Sequence, residues 1–246
     1  MDSSTFKTLI ALGGDSTTLS GQNVNHHGWG EAFAGEAHVM TPQVEFKQPW
    51  NVTAIDKDYS GISAGVRNYG KPGATAKSFY DDKNWWGKIK NSNPVYAFLM
   101  FGQNETSEDD METNLTAMVK ELVSDGIKPV IVSLVPPRIP GGTPAPIGSA
   151  CYTYAKVAST VATAQNTIFI DAFNHLLDFF TSKGGTWVES NIDAADDSGL
   201  VHYSPSGSAI ISQQIAGYMA NNDDLSALTS YLVDGTTDSF ACTENC

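Results

Sequence analysis

Four residues of this chain have types and surroundings that fit acyl-transfer chemistry: Ser16, Gly73, Asn104 and His202. Ser16 lies in Leu9-Ile10-Ala11-Leu12-Gly13-Gly14-Asp15-Ser16-Thr17-Thr18, an apolar run that stops at two glycines, an acid and three hydroxyls. That pattern reads as a buried strand breaking into a tight turn that presents Ser16. A serine hydroxyl is a weak nucleophile and needs an adjacent base. His202, in Val201-His202-Tyr203-Ser204-Pro205, is the only late histidine in a loop. A tetrahedral intermediate also needs donors aimed at its oxyanion, and the Ser16 N–H, the Gly73 N–H and the Asn104 side-chain amide are candidates. Gly73 suits the part because a backbone without Cβ approaches a substrate closely. A second reading of the first turn stays open, in which Ser16 or Thr17 is an ordinary helix N-cap accepting a backbone N–H.

These residues need a frame. Strands are expected at Phe6–Leu12, Val66–Tyr69, Val95–Met100, Pro129–Leu134 and Thr167–Ile170. Helices are expected from Gly28 to about Ala37 and over Ser78–Lys90, Glu112–Ser124, Tyr152–Gln165, Ala172–Ser182 and Pro205–Ala220. In the third of these, Leu115, Met118, Val119 and Leu122 recur at helical spacing. Fivefold alternation of strand and helix predicts an α/β fold with a parallel sheet covered on both faces. Such a sheet delivers its strand-end loops, and any chemistry they carry, to one edge. Val39–Gly65 is long and mixed, Pro136–Ser149 is a Pro/Gly loop, and Thr186–Tyr203 reads as irregular and acidic. The first two loops are where substrate selection is expected. A single domain is expected over 1–246, with a core at about 7–220 and a loosely packed tail at 221–246.

Charge excludes some partners. With 27 acids against 14 bases the net charge is −13, which leaves no basic surface for nucleic acid or an anionic membrane. No apolar run is long enough to span a bilayer. The polar start Met1-Asp2-Ser3-Ser4-Thr5 is no leader. Scarce Lys and Arg, the sequons at Asn51 and Asn114, and Cys242 and Cys246 four residues apart point to a secreted glycoprotein whose leader has gone. The two late cysteines suit a small disulfide loop, and Cys151 reads as a buried thiol at a helix start. Three cysteines without a histidine cluster predict no metal site, and no cofactor is implied. A monomer is expected.

In sequence order the chain resembles the SGNH (GDSL-type) hydrolase superfamily. Gly14-Asp15-Ser16 looks like its first block, Gly73 its second, Gly102-Gln103-Asn104 its third and His202 its last. Gly13-Gly14-Asp15-Ser16-Thr17, Gly28-Trp29-Gly30-Glu31, Gly73–Ser78 and His202–Gly207 look most like the rhamnogalacturonan acetylesterases. The resemblance covers roughly 7–220. It implies a flavodoxin-like three-layer αβα sandwich on a five-stranded parallel sheet, and metal-free removal of acetyl groups from carbohydrates. Ser16 is then the nucleophile, His202 the base, and Ser16, Gly73 and Asn104 the oxyanion hole. The implied substrate is an acetylated polysaccharide or oligosaccharide. One position departs: the family's triad Asp stands three residues before the His, where this chain has Gly199. Asp197, or Asp196, reaching His202 through a longer loop is one reading. A main-chain carbonyl orienting the imidazole is a second, and a weakened or inactive enzyme a third. An SGNH lipase or phospholipase and a noncatalytic carbohydrate-binding protein are the other functional classes; Gly199 favours the latter.

The remaining polar residues have plainer expectations. Asp15 orients its turn. Asn104 opens the sequon Asn104-Glu-Thr106 and is expected to stay unmodified in a cleft. Asp171 is expected to be a cap and His175 a surface residue. His26 and His27 belong to a solvated loop, with the alternative that one lines the substrate cleft. Trp85 and Trp86 read as helix packing and Trp29 as core.

Overall fold

Runs rich in Val, Ile, Leu, Phe and Ala pair side by side to form the centre of the molecule. The computed structural model describes residues 8–19, 26–34, 65–139, 143–144, 150–194 and 201–231. Strands β1 (Thr8–Gly14), β2 (Gly65–Gly70), β3 (Tyr96–Met100), β4 (Lys128–Val132) and β7 (Ile168–Ile170) form one parallel sheet in the order β2-β1-β3-β4-β7. A two-residue ribbon, β5 (Arg138–Ile139) with β6 (Thr143–Pro144), stands apart from it. The helices are α1 (Trp29–Ala34), α2 (Ala76–Asp81), α3 (Lys83–Asn91), α4 (Glu108–Ser124), α5 (Ala150–Ala164), α6 (Ala172–Lys183), α7 (Gly185–Asn191) and α8 (Pro205–Ala220).

Every residue of β3 is buried, and successive side chains go to opposite faces. Phe98 and Met100 join Trp29, Phe33, Phe180 and Ile211 in a core against α1, α6 and α8. Ala97 and Leu99 join Phe79, Trp86, Met118 and Val161 in a second core against α2, α3, α4 and α5. Two cores, one on each face of the sheet, make the three-layer αβα sandwich that the alternation implies.

Several boundaries differ from the sequence reading. β1 does not stop at Leu12: Gly13 and Gly14 pair with Tyr69 and Gly70 on one side and with Leu99 and Met100 on the other. The expected helix at Ser78–Lys90 is two helices, because the Asp82 carboxylate caps α3 by accepting from the Trp85 N–H. α4 starts four residues early, where the Ser107 hydroxyl accepts from the Asp110 N–H. Thr186–Tyr203 is not irregular throughout, since α7 occupies its start. The tail is not loose at its beginning: a 3-10 helix at Asp223–Tyr231 follows α8, and its Leu225 and Leu228 are buried in the first core. Phe6, most of Val39–Gly65, most of Pro140–Ser149, Asn51, Cys242 and Cys246 lie outside the described residues.

Candidate active site

The turn after β1 is built by its own neighbours. A Cβ at Gly14 would stand 2.3 Å from Thr18 Oγ1 and 2.6 Å from the Met100 carbonyl, so the turn folds back on β3 only because residue 14 is glycine. The Asp15 carbonyl accepts from Thr18 N (3.2 Å) and Leu19 N (3.1 Å). Its Oδ1 accepts from Thr17 N and Thr17 Oγ1, both at 2.8 Å. Asp15 is therefore the residue that closes the turn, rather than Ser16 or Thr17, and the Ser16 hydroxyl is directed elsewhere. Asp15 is fully buried, and burial pushes its carboxyl up to about 6 despite bonds from Thr17 and the Gln103 backbone.

The hydroxyl of Ser16 meets His202. Nε2 of His202 lies 3.0 Å from Ser16 Oγ, across 186 positions of sequence. The ring of His26 stacks on the His202 ring, with centroids 4.9 Å apart and planes 7° from parallel. The segment that carries His202 is laced to both neighbours. His27 N donates to Tyr203 O (3.0 Å) and Tyr203 N donates to His27 O (3.1 Å). Ser204 N donates to Ile192 O (2.9 Å), and Ala194 N approaches His202 O (3.4 Å). The His202 carbonyl also accepts from Arg138 Nη2 at 3.0 Å. Arg138 is buried and pairs through Nε with Asp193 Oδ1 at 2.5 Å.

These contacts correct the expectation for the two histidines. His27 is completely buried, with Nδ1 2.8 Å from Glu31 Oε2, because its backbone is a bridge partner of Tyr203. His26 is the member of the pair that reaches the site. Arg138, Asp193 and Glu31 were missed by the sequence reading. Arg138 sits in a Pro/Gly-rich loop that signalled only irregular structure, and Glu31 was quoted only within a motif.

The other two candidates reach the same edge. Lys71 N donates to Gly14 O (2.9 Å), drawing the loop after β2 to the end of β1. Gly73 follows with φ +66, an exposed position with nothing within 4 Å of a would-be Cβ. Asn104 Nδ2 donates to Ala74 O at 3.3 Å, which links the loops of Gly73 and Asn104; an amide nitrogen carries a second N–H. Beside it Glu105, unnoticed in sequence except inside a sequon, accepts from Ala76 N at 2.6 Å at the start of α2. Burial first, then the negative charges of Asp15 and Asp110, raise the Glu105 carboxyl to about 7. Asp197, Asp196 and Gly199 lie outside the described residues.

Elsewhere, Asp171 caps α6 as expected, accepting from Asn174 N. His175 is half-buried rather than a plain surface residue: its Nε2 lies 3.1 Å from Gln214 Oε1 of α8, and burial lowers its pKa. Trp85 and Trp86 pack as expected, their indoles donating to Tyr69 O and Glu121 Oε2. Trp29 is core and donates to Met100 Sδ. Cys151 is a half-buried thiol in the first turn of α5. Asn114 is buried within α4 and donates to Asp110 O, so the folded chain does not present that sequon. Among the described residues no group of three or more His, Cys, Asp or Glu side chains is placed to hold a metal ion.

A hydroxyl in hydrogen-bond reach of an imidazole, at the C-terminal edge of a parallel sheet, is an arrangement that can pair a nucleophile with its base. Comparison with solved structures agrees at the level of fold. A lipase/acylhydrolase from Enterococcus faecalis is 20% identical with a TM-score of 0.56, the match covering 92% of this chain and 97% of that one. An acetylxylan esterase from Geobacillus stearothermophilus is 17% identical with a TM-score of 0.58, covering 86% and 93%. A protein from Bacillus subtilis is 18% identical with a TM-score of 0.66 over 87% of this chain, which spans only 56% of that protein's length. No protein-family model matches the chain, and no curated protein matches it in sequence. The chain thus has the fold of these acylhydrolases and esterases, and the resemblance to the SGNH hydrolases holds at that level.

Proposed function

We propose that this chain is a serine esterase that removes acetyl groups from carbohydrates, with plant cell-wall polysaccharides as its substrate and the extracellular space as its place of work. The observation that carries the reading is the 3.0 Å contact between Ser16 Oγ and His202 Nε2 at the sheet edge. It is supported by the fold shared with an acetylxylan esterase and an acylhydrolase. It is supported too by a solved form of the Geobacillus stearothermophilus esterase described as a catalytic mutant with alanine in place of a serine.

In this reading His202 Nε2 takes the Ser16 proton as Oγ attacks the acetyl carbonyl carbon. The developing oxyanion is met by N–H groups of Ser16, Gly73 and Asn104. The imidazolium returns its proton to the sugar oxygen as the ester C–O bond breaks, leaving acetyl-Ser16. Water then attacks with His202 again as base, releasing acetate and restoring the serine. Asp197 is the sequence's candidate to orient His202. A net charge of −13 repels a polyuronate at long range, so a neutral acetylated xylan or mannan suits the chain as well as pectin does.

The test is turnover of p-nitrophenyl acetate by wild type and Ser16→Ala, followed by acetate release from acetylated xylan. Wild-type turnover that Ser16→Ala lowers by about 10⁴-fold or more is expected. Full activity in Ser16→Ala, or an inactive wild type, would overturn the reading. The Enterococcus faecalis likeness keeps a lipase reading alive; preference for octanoate over acetate esters would select it.

A further inference from the structure

We propose that Arg138, ion-paired with Asp193, is a positioning residue that fixes His202 against Ser16 by holding the His202 main-chain carbonyl. The inference rests on the esterase reading above. Arg138 stands on β5, just beyond the end of β4, and only 3% of it is exposed. One arm of its guanidinium, Nε, meets Asp193 Oδ1 at 2.5 Å; another, Nη2, donates to His202 O at 3.0 Å. Its central carbon lies 5.1 Å from the ring centre of Tyr203, the next residue along. Asp193 in turn is a backbone bridge partner of Tyr203. The pair therefore grips the two residues that carry the imidazole from two different elements.

Stability alone does not call for this arrangement. A buried ion pair costs so much desolvation that an apolar pair of similar volume often holds a fold equally well or better. The fork is informative because it is directional. A guanidinium offers several donors in a fixed plane, so satisfying Asp193 fixes where the next donor points. It points at the backbone of the residue whose imidazole lies 3.0 Å from Ser16. Arg138 is buried, and its Nε and Nη2 are engaged by Asp193 and the His202 carbonyl.

The deciding proteins are Arg138→Met/Asp193→Leu, which replaces the pair with apolar side chains, and Arg138→Lys, which keeps a cation for Asp193 but loses the planar fork. Thermal unfolding is measured beside kcat and KM on p-nitrophenyl acetate. The double variant is expected to unfold near the wild-type temperature with kcat down by about 10²-fold, the cost of a misplaced catalytic group, and KM unchanged. Arg138→Lys is expected to fold and to lose kcat as well. Wild-type kcat in either folded variant overturns the proposal, as does a raised KM with kcat intact. A third readout is independent of turnover: the imidazole proton resonance of His202, assigned by its loss in His202→Gln, is expected to shift in the double variant. An unmoved resonance overturns the positioning role even if Ser16→Ala retains activity and the esterase reading itself has failed.

Discussion

The turn that carries Ser16 and the segment that carries His202 meet at 3.0 Å, yet they are held by different means. The Ser16 turn is closed within five residues, and distant donors then hold its outer carbonyls, Trp29 N on Thr17 O, Asn68 Nδ2 on Thr18 O and Gly28 N on Leu19 O. Asp15 accepts from Thr17, its carbonyl accepts from Thr18 and Leu19, and Gly14 lets the chain pass the Met100 carbonyl. The His202 segment has local support only at its end, where the Ser204 hydroxyl caps α8 by accepting from Gly207 N. It is a bridge partner of His27, donates to Ile192 through Ser204, and receives Arg138 at its carbonyl. Each side also buries a carboxylate, and in opposite fashion. Asp15 Oδ1 accepts from the N–H and O–H of Thr17, whereas Asp193 Oδ1 accepts from a guanidinium. A nucleophile whose turn is closed by its own residues and a base placed chiefly by distant contacts fail in different ways when they are altered.

The largest effect on the local side is expected from Gly14→Ala. The added Cβ meets a backbone carbonyl at 2.6 Å as well as the Thr18 hydroxyl at 2.3 Å. Overpacking of this kind costs about 3 kcal/mol, and the strand end must move, so turnover should fall with stability. Denaturant unfolding is the check. Thr18→Ala in the same background is expected not to restore stability, because the Met100 carbonyl stays where it is. Full rescue by Thr18→Ala would show that the turn tolerates more backbone freedom than a locally determined structure should.

On the distant side the next effect concerns His26. Its ring lies flat on that of His202 with centroids 4.9 Å apart. Stacked ring pairs contribute about 1 kcal/mol beyond area burial. His26→Ala is therefore expected to lower kcat about fivefold, while His26→Phe, which keeps a flat partner, stays close to wild type. Equal loss in both variants would mean that a nitrogen of His26, and not its face, is what the site uses.

The same contrast decides what was readable in the sequence. Gly-Gly-Asp-Ser after an apolar run carries its own geometry, so Ser16 and the strand that delivers it were legible, as were the five strands and the helix at Pro205–Ala220. His202 was legible by chemistry and by its place before that helix. What holds it was not. Arg138 precedes His202 by 64 positions, and nothing in the composition of a Pro/Gly loop says that its cation turns inward. Asp82 shows the intermediate case: an acid inside a helical pattern was passed over, although its side chain caps a new helix there. Glu105 was hidden by the sequon in which it sits.

The smallest expected effect is one of pH, and it belongs to the Ser16 side. Burial raises Asp15 from 3.8 to about 6 and Glu105 from 4.5 to about 7. Between those limits the unfolded chain has lost protons that the folded chain still holds. Stability therefore falls as pH rises through this window, and the fall is complete once both groups are charged in the folded state. Growing repulsion among the chain's excess acids acts in the same direction, so the wild-type slope alone proves little. Glu105→Gln isolates the contribution, because its amide oxygen can still accept from Ala76 N while the charge is gone. Its unfolding temperature is expected to fall less than that of wild type between pH 5 and pH 8, with the two proteins converging at the acid end. Parallel curves would mean that Glu105 is better hydrated than its place beside Asn104 suggests, and that the desolvated carboxylate supporting the Ser16 side is Asp15 alone.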